Sequence, residues 1–329
     1  MKPAFLITID TEGDNLWSYP SEITTENSRY LRRFQLLCER YALKPTWLTN
    51  WEMVNCGTYR DFAKDCLKRG TAEIGMHLHA WNNPPIIPLS ADDNRLVPFL
   101  IQFDESIMRD KIAVITDRLE DAFGAKMLSH RAGRWAFNET YARLLVEHGY
   151  RIDCSVSPHM RWEHGDPSVK EVADYTNFPE SAYWVDLKNI AKEDPHSTLL
   201  ELPVTIVAKP RTGLLKVAEL ASNLHSFPRR VLDRFAPKAL WLRPDGRNRH
   251  AMQSVLDTAL QEERAYVEFM LHSSEFMPGG SPRFPTEMHI ERLYDDLEAL
   301  FEHARGRFEG LTLAEYHARL TAGSRRAAA

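Results

Sequence analysis

Apolar and polar positions alternate along the chain in two periods. Phe5 to Asp10 (FLITID) is a short apolar, β-branched run that ends on acidic residues, the pattern of a strand covered on both faces of a parallel sheet. After the polar stretch Thr24 to Ser28, Leu31, Phe34, Leu37 and Cys38 recur at helical spacing, and Pro45 to Thr49 reads as a second strand. The spacing then predicts a helix over Tyr59–Arg69 closed by Gly70, a strand over Ala72–His79, a Pro-rich loop from Asn82 to Pro88 and a helix from about Glu105 to Phe123. Strand Met127–His130, helix Asn138–His148 before Gly149, and strand Arg151–Ser155 continue the series. Strand Leu199–Val207, helices over Gly213–Asp233 and Arg249–Arg264, strand Tyr266–Leu271 and helix Thr286–Ala304 complete it.

Seven strands, most followed by a helix, predict an α/β fold of barrel type, with the functional site at the carboxyl ends of the strands. The pattern lapses over about 158–198, which reads as a loop insertion shaping a cleft. The expected organisation is a single domain over 1–320 and a flexible tail over 321–329.

Composition narrows the classes of function. With 43% hydrophobic and 26% charged residues the chain is an ordinary globular protein, neither disordered nor collagenous. A formal net charge of -5 gives no global reason to bind nucleic acid or an anionic membrane, so small-molecule or neutral-polymer partners are expected. Cys38, Cys56, Cys66 and Cys154 show no Cys-x-x-Cys spacing, which fits free thiols in a reducing compartment. The apolar stretch from Ala4 to Ile9 is too short for a signal-peptide core, and no segment reaches the roughly 18 to 20 apolar residues of a membrane span. The expected location is cytoplasmic, with no membrane insertion.

Titratable residues collect at the ends of the predicted strands. Asp10, Glu12 and Asp14 follow the first, His77 and His79 end the third, Arg131 follows the fourth, Asp153 lies on the fifth, and His272 and Glu275 close the last. Side chains alternate along a strand, so His77 and His79 share one face; with a strand-one carboxylate they make a two-His-one-carboxylate metal site with open positions. Asp10 and Glu12 obey the same period, one to bind metal and one to act as base, and spacing alone leaves open which does which. Asp14 lies further into the loop, solvated or facing substrate. Arg131 can hold a carboxylate such as Asp10 ionised. His272 can serve as general acid, with Asp153 orienting it or pairing with Arg131. Trp17, Trp81 and Trp135 beside these motifs can stack against sugar, and Glu275 is a further candidate contact for substrate. Arg243 to Arg249 (RPDGRNR) reads as a solvated basic turn, with contact to an anionic or nucleotide-linked substrate as the lesser option.

Laid out in order from Phe5 to Phe276, these motifs resemble those of the polysaccharide deacetylase family, the NodB-homology or carbohydrate esterase family 4 group. The resemblance implies a distorted (β/α)7 barrel, a divalent metal site and removal of N- or O-acetyl groups from sugars. Thr8-Ile9-Asp10-Thr11-Glu12-Gly13 is similar to the family's Thr-Phe-Asp-Asp-Gly, which implies Asp10 as base and Glu12, displaced by one residue, as metal ligand. Glu73 to His77 resembles the lead-in to the second motif, whose histidines are usually four residues apart; here Trp81 holds the later position and His79 comes early. Arg131 and Trp135 match the third motif without its proline, Asp153 the fourth without its tryptophan, and Leu271-His272 the fifth without an intervening residue. These departures look like those of a divergent, cytoplasmic branch of the family.

The expected activity is metal-dependent removal of an N-acetyl or similar acyl group from a sugar, a polysaccharide or O-antigen-type glycan precursor. Zinc is the expected ion, with nickel or cobalt as substitutes, held by Glu12, His77 and His79; Asp10, Arg131, Asp153 and His272 are the catalytic candidates. Two alternatives stand beside it: a non-catalytic sugar-binding or assembly protein on a degenerate barrel, and an amidohydrolase-type metal hydrolase, a class that also uses His-x-His.

Overall fold

The computed structural model describes residues 2–162, 173–209 and 239–327. In chain order the first half comprises β1 (Ala4–Thr11), α1 (Leu31–Arg40), β2 (Pro45–Thr49), α2 (Trp51–Asn55), α3 (Gly57–Arg69), β3 (Glu73–Leu78), α4 (Asp93–Leu96), α5 (Glu105–Phe123), β4 (Ser129–Ala132), α6 (Glu139–Glu147) and β5 (Ile152–Asp153). Two ribbons follow, β6 (Arg161–Trp162) with β7 (Ala173–Asp174) and β8 (Tyr183–Asp186) with β9 (Asn189–Glu193). The remainder is β10 (Leu200–Glu201), β11 (Ile206–Ala208), β12 (Ala239–Trp241), α7 (Arg249–Gln261), β13 (Tyr266–His272), α8 (Glu287–Ala304), β14 (Glu309–Gly310) and α9 (Leu313–Ala327).

Seven strands run parallel in the order β13-β1-β2-β3-β4-β5-β10, as the alternating pattern requires, but the sheet curls without closing into a (β/α)7 barrel. The outer edge of β10 pairs antiparallel with β8 instead of meeting β13. Pro203, which has no N–H, comes two residues after β10, and the seam to β13 is held by a backbone bond from Thr205 N to Glu268 O at 3.2 Å and by Glu268 N donating to Thr205 Oγ1 at 2.8 Å. The expected strand Leu199–Val207 is therefore split into β10 and β11. The insertion over 158–198 is not all loop: its β8–β9 ribbon extends the main sheet. The helix expected over Gly213–Asp233 lies outside the described residues. Within the expected tail from 321 the backbone continues α9 as far as Ala327.

Alternation divides each strand between two layers. Outward residues Phe5, Ile7, Ile9, Trp47, Ile74, Met76, Leu78, Val267, Phe269 and Leu271 join the helices in the main apolar core. Inward residues change character along the strands. At the amino-terminal end Ala4, Leu6, Leu48, Ile152, Cys154, Leu200 and Tyr266 pack together and are capped by Leu313 and Tyr316 of α9. Further along β1 the inward positions become Thr8 and then Asp10, and along β13 Glu268, Met270 and then His272, so the apolar plug gives way to charged groups toward the carboxyl ends. Among the described residues no helix is long and apolar enough to cross a membrane.

Candidate metal centre and active site

Strand register brings the charged positions together. Asp10 pairs with His272 between β1 and β13, and His77 with Arg131 between β3 and β4. His79 follows on from β3, on the inward side with His77, and its ring lies close against Gly133, where a Cβ would stand 2.4 Å from His79 Cδ2 and 2.3 Å from Leu78 O. Only glycine fits there.

His77 Nε2 and His79 Nε2 stand 3.0 Å apart, and Glu12 Oε2 is 3.6 Å from the first and 3.4 Å from the second. His77 Nδ1 faces the Arg131 carbonyl oxygen at 3.0 Å, to which it donates, leaving the Nε2 lone pair directed at the other two donors. Bonds of about 2.0–2.1 Å place neighbouring donors about 3.0–3.4 Å apart, from octahedral to tetrahedral geometry, and two of the three separations fall in that span while Glu12 to His77 is slightly longer, which a small side-chain shift closes. All three side chains are buried, and two neutral imidazoles with facing lone pairs call for a cation or a proton between them. The donor set thus fits a metal, and it is the one three-donor cluster of this kind among the described residues. Trp81 stacks on His79 with ring centres 4.3 Å apart.

Beside this cluster Asp10 Oδ1 accepts from Arg131 Nη1 at 2.7 Å, while Oδ2 is left toward His272 Nε2 at 3.7 Å. Arg131 is fully buried and spends its other donors on Thr8 Oγ1 at 2.8 Å, Cys154 O at 2.9 Å and Glu268. Burial lifts the Asp10 pKa, but Arg131, His77 and His272 together outweigh it and leave the carboxyl below its ordinary range. Burial pushes the His77 pKa down, and Asp10 and Glu12 turn the net shift upward; His79 is pushed well down by burial and by His77, Arg134 and His272. His272 Nδ1 is engaged from behind, 3.2 Å from Glu275 Oε2 and 3.1 Å from Arg243 Nη2, so that Nε2 faces the cavity.

Asp10, Glu12, His77, His79 and His272 line one cavity of about 580 Å³, with Trp17, Trp81 and Trp135 on its walls. Trp162 and Trp241, which sequence reasoning missed, complete an aromatic corner: Trp162 stacks on Trp135 with ring centres 5.6 Å apart, and Trp241 meets both at a tilt. Trp135 is placed by a turn in which Arg134 (φ 52°) and Trp135 (φ 63°) both take the left-handed conformation. Arg243, expected to be solvated, is 8% exposed and lies on the cavity wall, as do Arg134 and Arg283.

Two expected site residues stand elsewhere. Asp153 neither orients His272 nor pairs with Arg131. Its neighbours Ile152 and Cys154 take the inward positions, so Asp153 points to the other layer, where its Oδ1 meets His130 Nδ1 at 2.6 Å and accepts from Ser155 Oγ at 2.9 Å. Glu201 of β10, also turned away from the interior, faces the same cluster: burial and Asp153 push its pKa well up, and His130 holds Asp153 below its ordinary range against burial. Glu275 is fully buried and does not line the cavity; it positions His272 and Arg243 instead of touching substrate. Asp14 faces neither solvent alone nor the cavity, since its carboxylate accepts from Thr24, Glu26 and Asn27 and ties the loop after β1.

No protein-family profile and no curated protein sequence matches this chain. Solved structures do. A protein described as a polysaccharide deacetylase from Mycobacterium smegmatis superposes with a TM-score of 0.54 at 12% identity, covering 98% of this chain and 95% of its own. A 4-alpha-glucanotransferase from Thermococcus litoralis gives 0.52 at 14% identity over 97% of this chain and 40% of its own. A GH57 branching enzyme from Thermococcus kodakaraensis gives 0.52 at 10% identity over 97% and 71%. The chain therefore shares a mixed α/β fold with a curled, half-barrel sheet found in polysaccharide deacetylases, and the same fold is found in enzymes of α-glucan transfer.

Proposed function

We propose that this protein is a metal-dependent deacylase of an N-acylated sugar. The observation that carries the reading is the convergence of His77 Nε2, His79 Nε2 and Glu12 Oε2 within 4.8 Å of one another, beside Asp10 and His272 in an aromatic cavity. It also separates this chemistry from that of the glucan-transferring relatives of the fold. Glycosyl transfer needs two carboxyl groups flanking the sugar bond, whereas among the described residues only Asp10 and Glu12 line the cavity, and Glu12 is committed to the histidines. An amidohydrolase reading lacks support in the same wall, where no described lysine stands.

Glu12, His77 and His79 would hold a divalent ion, zinc in our reading, which would supply Lewis acidity toward an acyl carbonyl and acidify water near neutral pH. Asp10, kept ionised by Arg131, accepts the proton of the attacking water at Oδ2, the oxygen that Arg131 leaves free. His272 carries a proton on Nε2 to the departing amine, which leaves poorly without one; Glu275 and Arg243 fix the ring from its Nδ1 side. Trp17, Trp81 and Trp135 form sugar-stacking walls. The four free cysteines fit a cytoplasmic enzyme acting on a glycan precursor.

Acetate or formate release from N-acyl sugars tests the reading. Asp10→Asn and His272→Ala are each expected to lower turnover by roughly 100-fold or more with the fold retained. Near-parental turnover in either variant removes that residue from the chemistry, and sugar binding without any acid release favours a binding protein.

A further inference from the structure

Three guanidinium groups face the same cavity as the metal donors: Arg134, Arg243 and Arg283. Arg134 is held over Trp81, 4.6 Å from the ring centre, and donates to Asn94 Oδ1 at 2.7 Å; it makes no ion pair with a carboxylate among the described residues. Arg243 pairs with Glu275 through Nη2 at 3.2 Å, but its buried Nε has no acceptor. Arg283, in the loop after β13, has neither a hydrogen bond nor an ion pair among the described residues, and it lies close enough to Arg243 for the two charges to repel.

Among the described residues the carboxylates in and behind the cavity wall are already engaged, and Asp245 and Asp92 act on Arg283 and Arg134 without forming an ion pair with them. Asp10 is bound to Arg131 and Glu12 faces the two histidines, while Glu275 is already shared between Arg243 and His272. Arg283 is exposed and solvated, so the unfavourable feature is the buried Arg243 Nε–H that has no acceptor beside a second positive charge, and an incoming oxyanion relieves both. Planar forks of N–H donors are suited to carboxylate and phosphate oxygens above other groups. The place is also defined: Arg243 Nη2 stands 3.1 Å from His272 Nδ1, so an anion against Arg243 and Arg283 sits next to the general acid, on the leaving-group side of the reaction.

We propose that the sugar substrate is anionic, bearing a phosphate or carboxylate group that docks on Arg243 and Arg283 while its acyl group lies at the metal donors. This rests on the deacylase reading and specifies its substrate class. The free side of the Arg243 guanidinium and the whole of Arg283 serve the anion; the aromatic corner of Trp135, Trp162 and Trp241 covers the sugar beside it.

Five tryptophans line this cavity, so intrinsic fluorescence reports binding to the full-length protein directly. N-acetylglucosamine, its 1-phosphate and N-acetylglucosaminuronate are titrated against the parent protein and the Arg283→Gln variant, with inorganic phosphate as a sugar-free probe. At least one anionic sugar is expected to bind about tenfold or more tightly than the neutral sugar, an advantage that falls to about twofold in Arg283→Gln. The stronger of the two anionic sugars identifies phosphate or carboxylate as the group recognised. Equal binding of neutral and anionic sugars, an anion preference that survives in Arg283→Gln, binding of inorganic phosphate alone that is indifferent to the substitution, or no binding of any probe each overturns the inference. Acid release from a neutral N-acyl sugar without anion preference defeats this inference and leaves the deacylase reading standing. An anion preference lost in Arg283→Gln, with no acid released from any of the sugars, does the reverse.

Discussion

Arg131 and Asp10 meet through the interior of the curled sheet, Nη1 to Oδ1 at 2.7 Å, although two strands separate β4 from β1 along the sheet. The same guanidinium reaches Glu268 on β13 and the Cys154 carbonyl behind β5, so one buried cation ties together strands from both sides of the open seam. It sits beside the Asp10 carboxyl and helps to keep it below its ordinary range.

Arg131→Met should therefore destabilise the fold as well as the chemistry. It leaves the Asp10 carboxylate buried without its counter-charge and Glu268 without its Arg131 donor, a loss of about 3–5 kcal/mol for a broken buried pair. Urea unfolding followed by circular dichroism measures this, and an unchanged midpoint contradicts the role given to Arg131.

Lys111 on α5 plays a comparable part outside the sheet. Its buried Nζ donates to the carbonyl oxygens of Ala80, Asn83 and Pro85 at 2.9, 2.7 and 2.6 Å, pinning the loop that carries Trp81. Lys111→Met strips three acceptors of their donor and should cost about 1–3 kcal/mol or more. A thermal melt that matches the parent protein shows that the loop is held by other contacts.

Two buried glutamates give stability opposite dependences on pH. Burial raises Glu268 to about 7 in spite of Arg131 and Thr8, so the fold favours its protonated form; the associated stability is whole below the ordinary value of 4.5 and is lost as pH rises through about 7. Arg243 and His272 overcome burial to lower Glu275 to about 2, so its stability is whole above 4.5 and is lost as pH falls toward about 2. Unfolding free energies across pH should show Glu268→Gln removing the decline between 4.5 and 7, and Glu275→Gln removing part of the loss on the acid side. Parallel profiles for parent and variants contradict both assignments.

Much of this was legible in the sequence because period-two alternation governs both the core and the site. The bounds of β2 match the pattern residue for residue, and Asp10, Glu12, His77, His79, Arg131 and His272 converge as their strand-end positions imply. Asp153 shows the limit of reading position without parity: the apolar neighbours Ile152 and Cys154 needed the inward face, which sent the carboxylate outward to His130. Glu201 and Glu268 were passed over inside apolar strands, where an isolated carboxylate is itself a sign of a buried partner. Arg243, Arg283, Trp162 and Trp241 come from loops and short ribbons, and only tertiary packing brings them to the cavity. The open seam was likewise hidden, since closure depends on which edge β8 takes and not on the alternation of strands and helices.

The central claim is that His77, His79 and Glu12 form one metal site. Elemental analysis of the purified protein after incubation with zinc and removal of free ion, repeated on His79→Ala, tests it most directly. The account predicts close to one ion per chain in the parent protein and a large loss in the variant. A parent protein that retains no zinc, nickel or cobalt, or a variant that keeps as much as the parent, contradicts it.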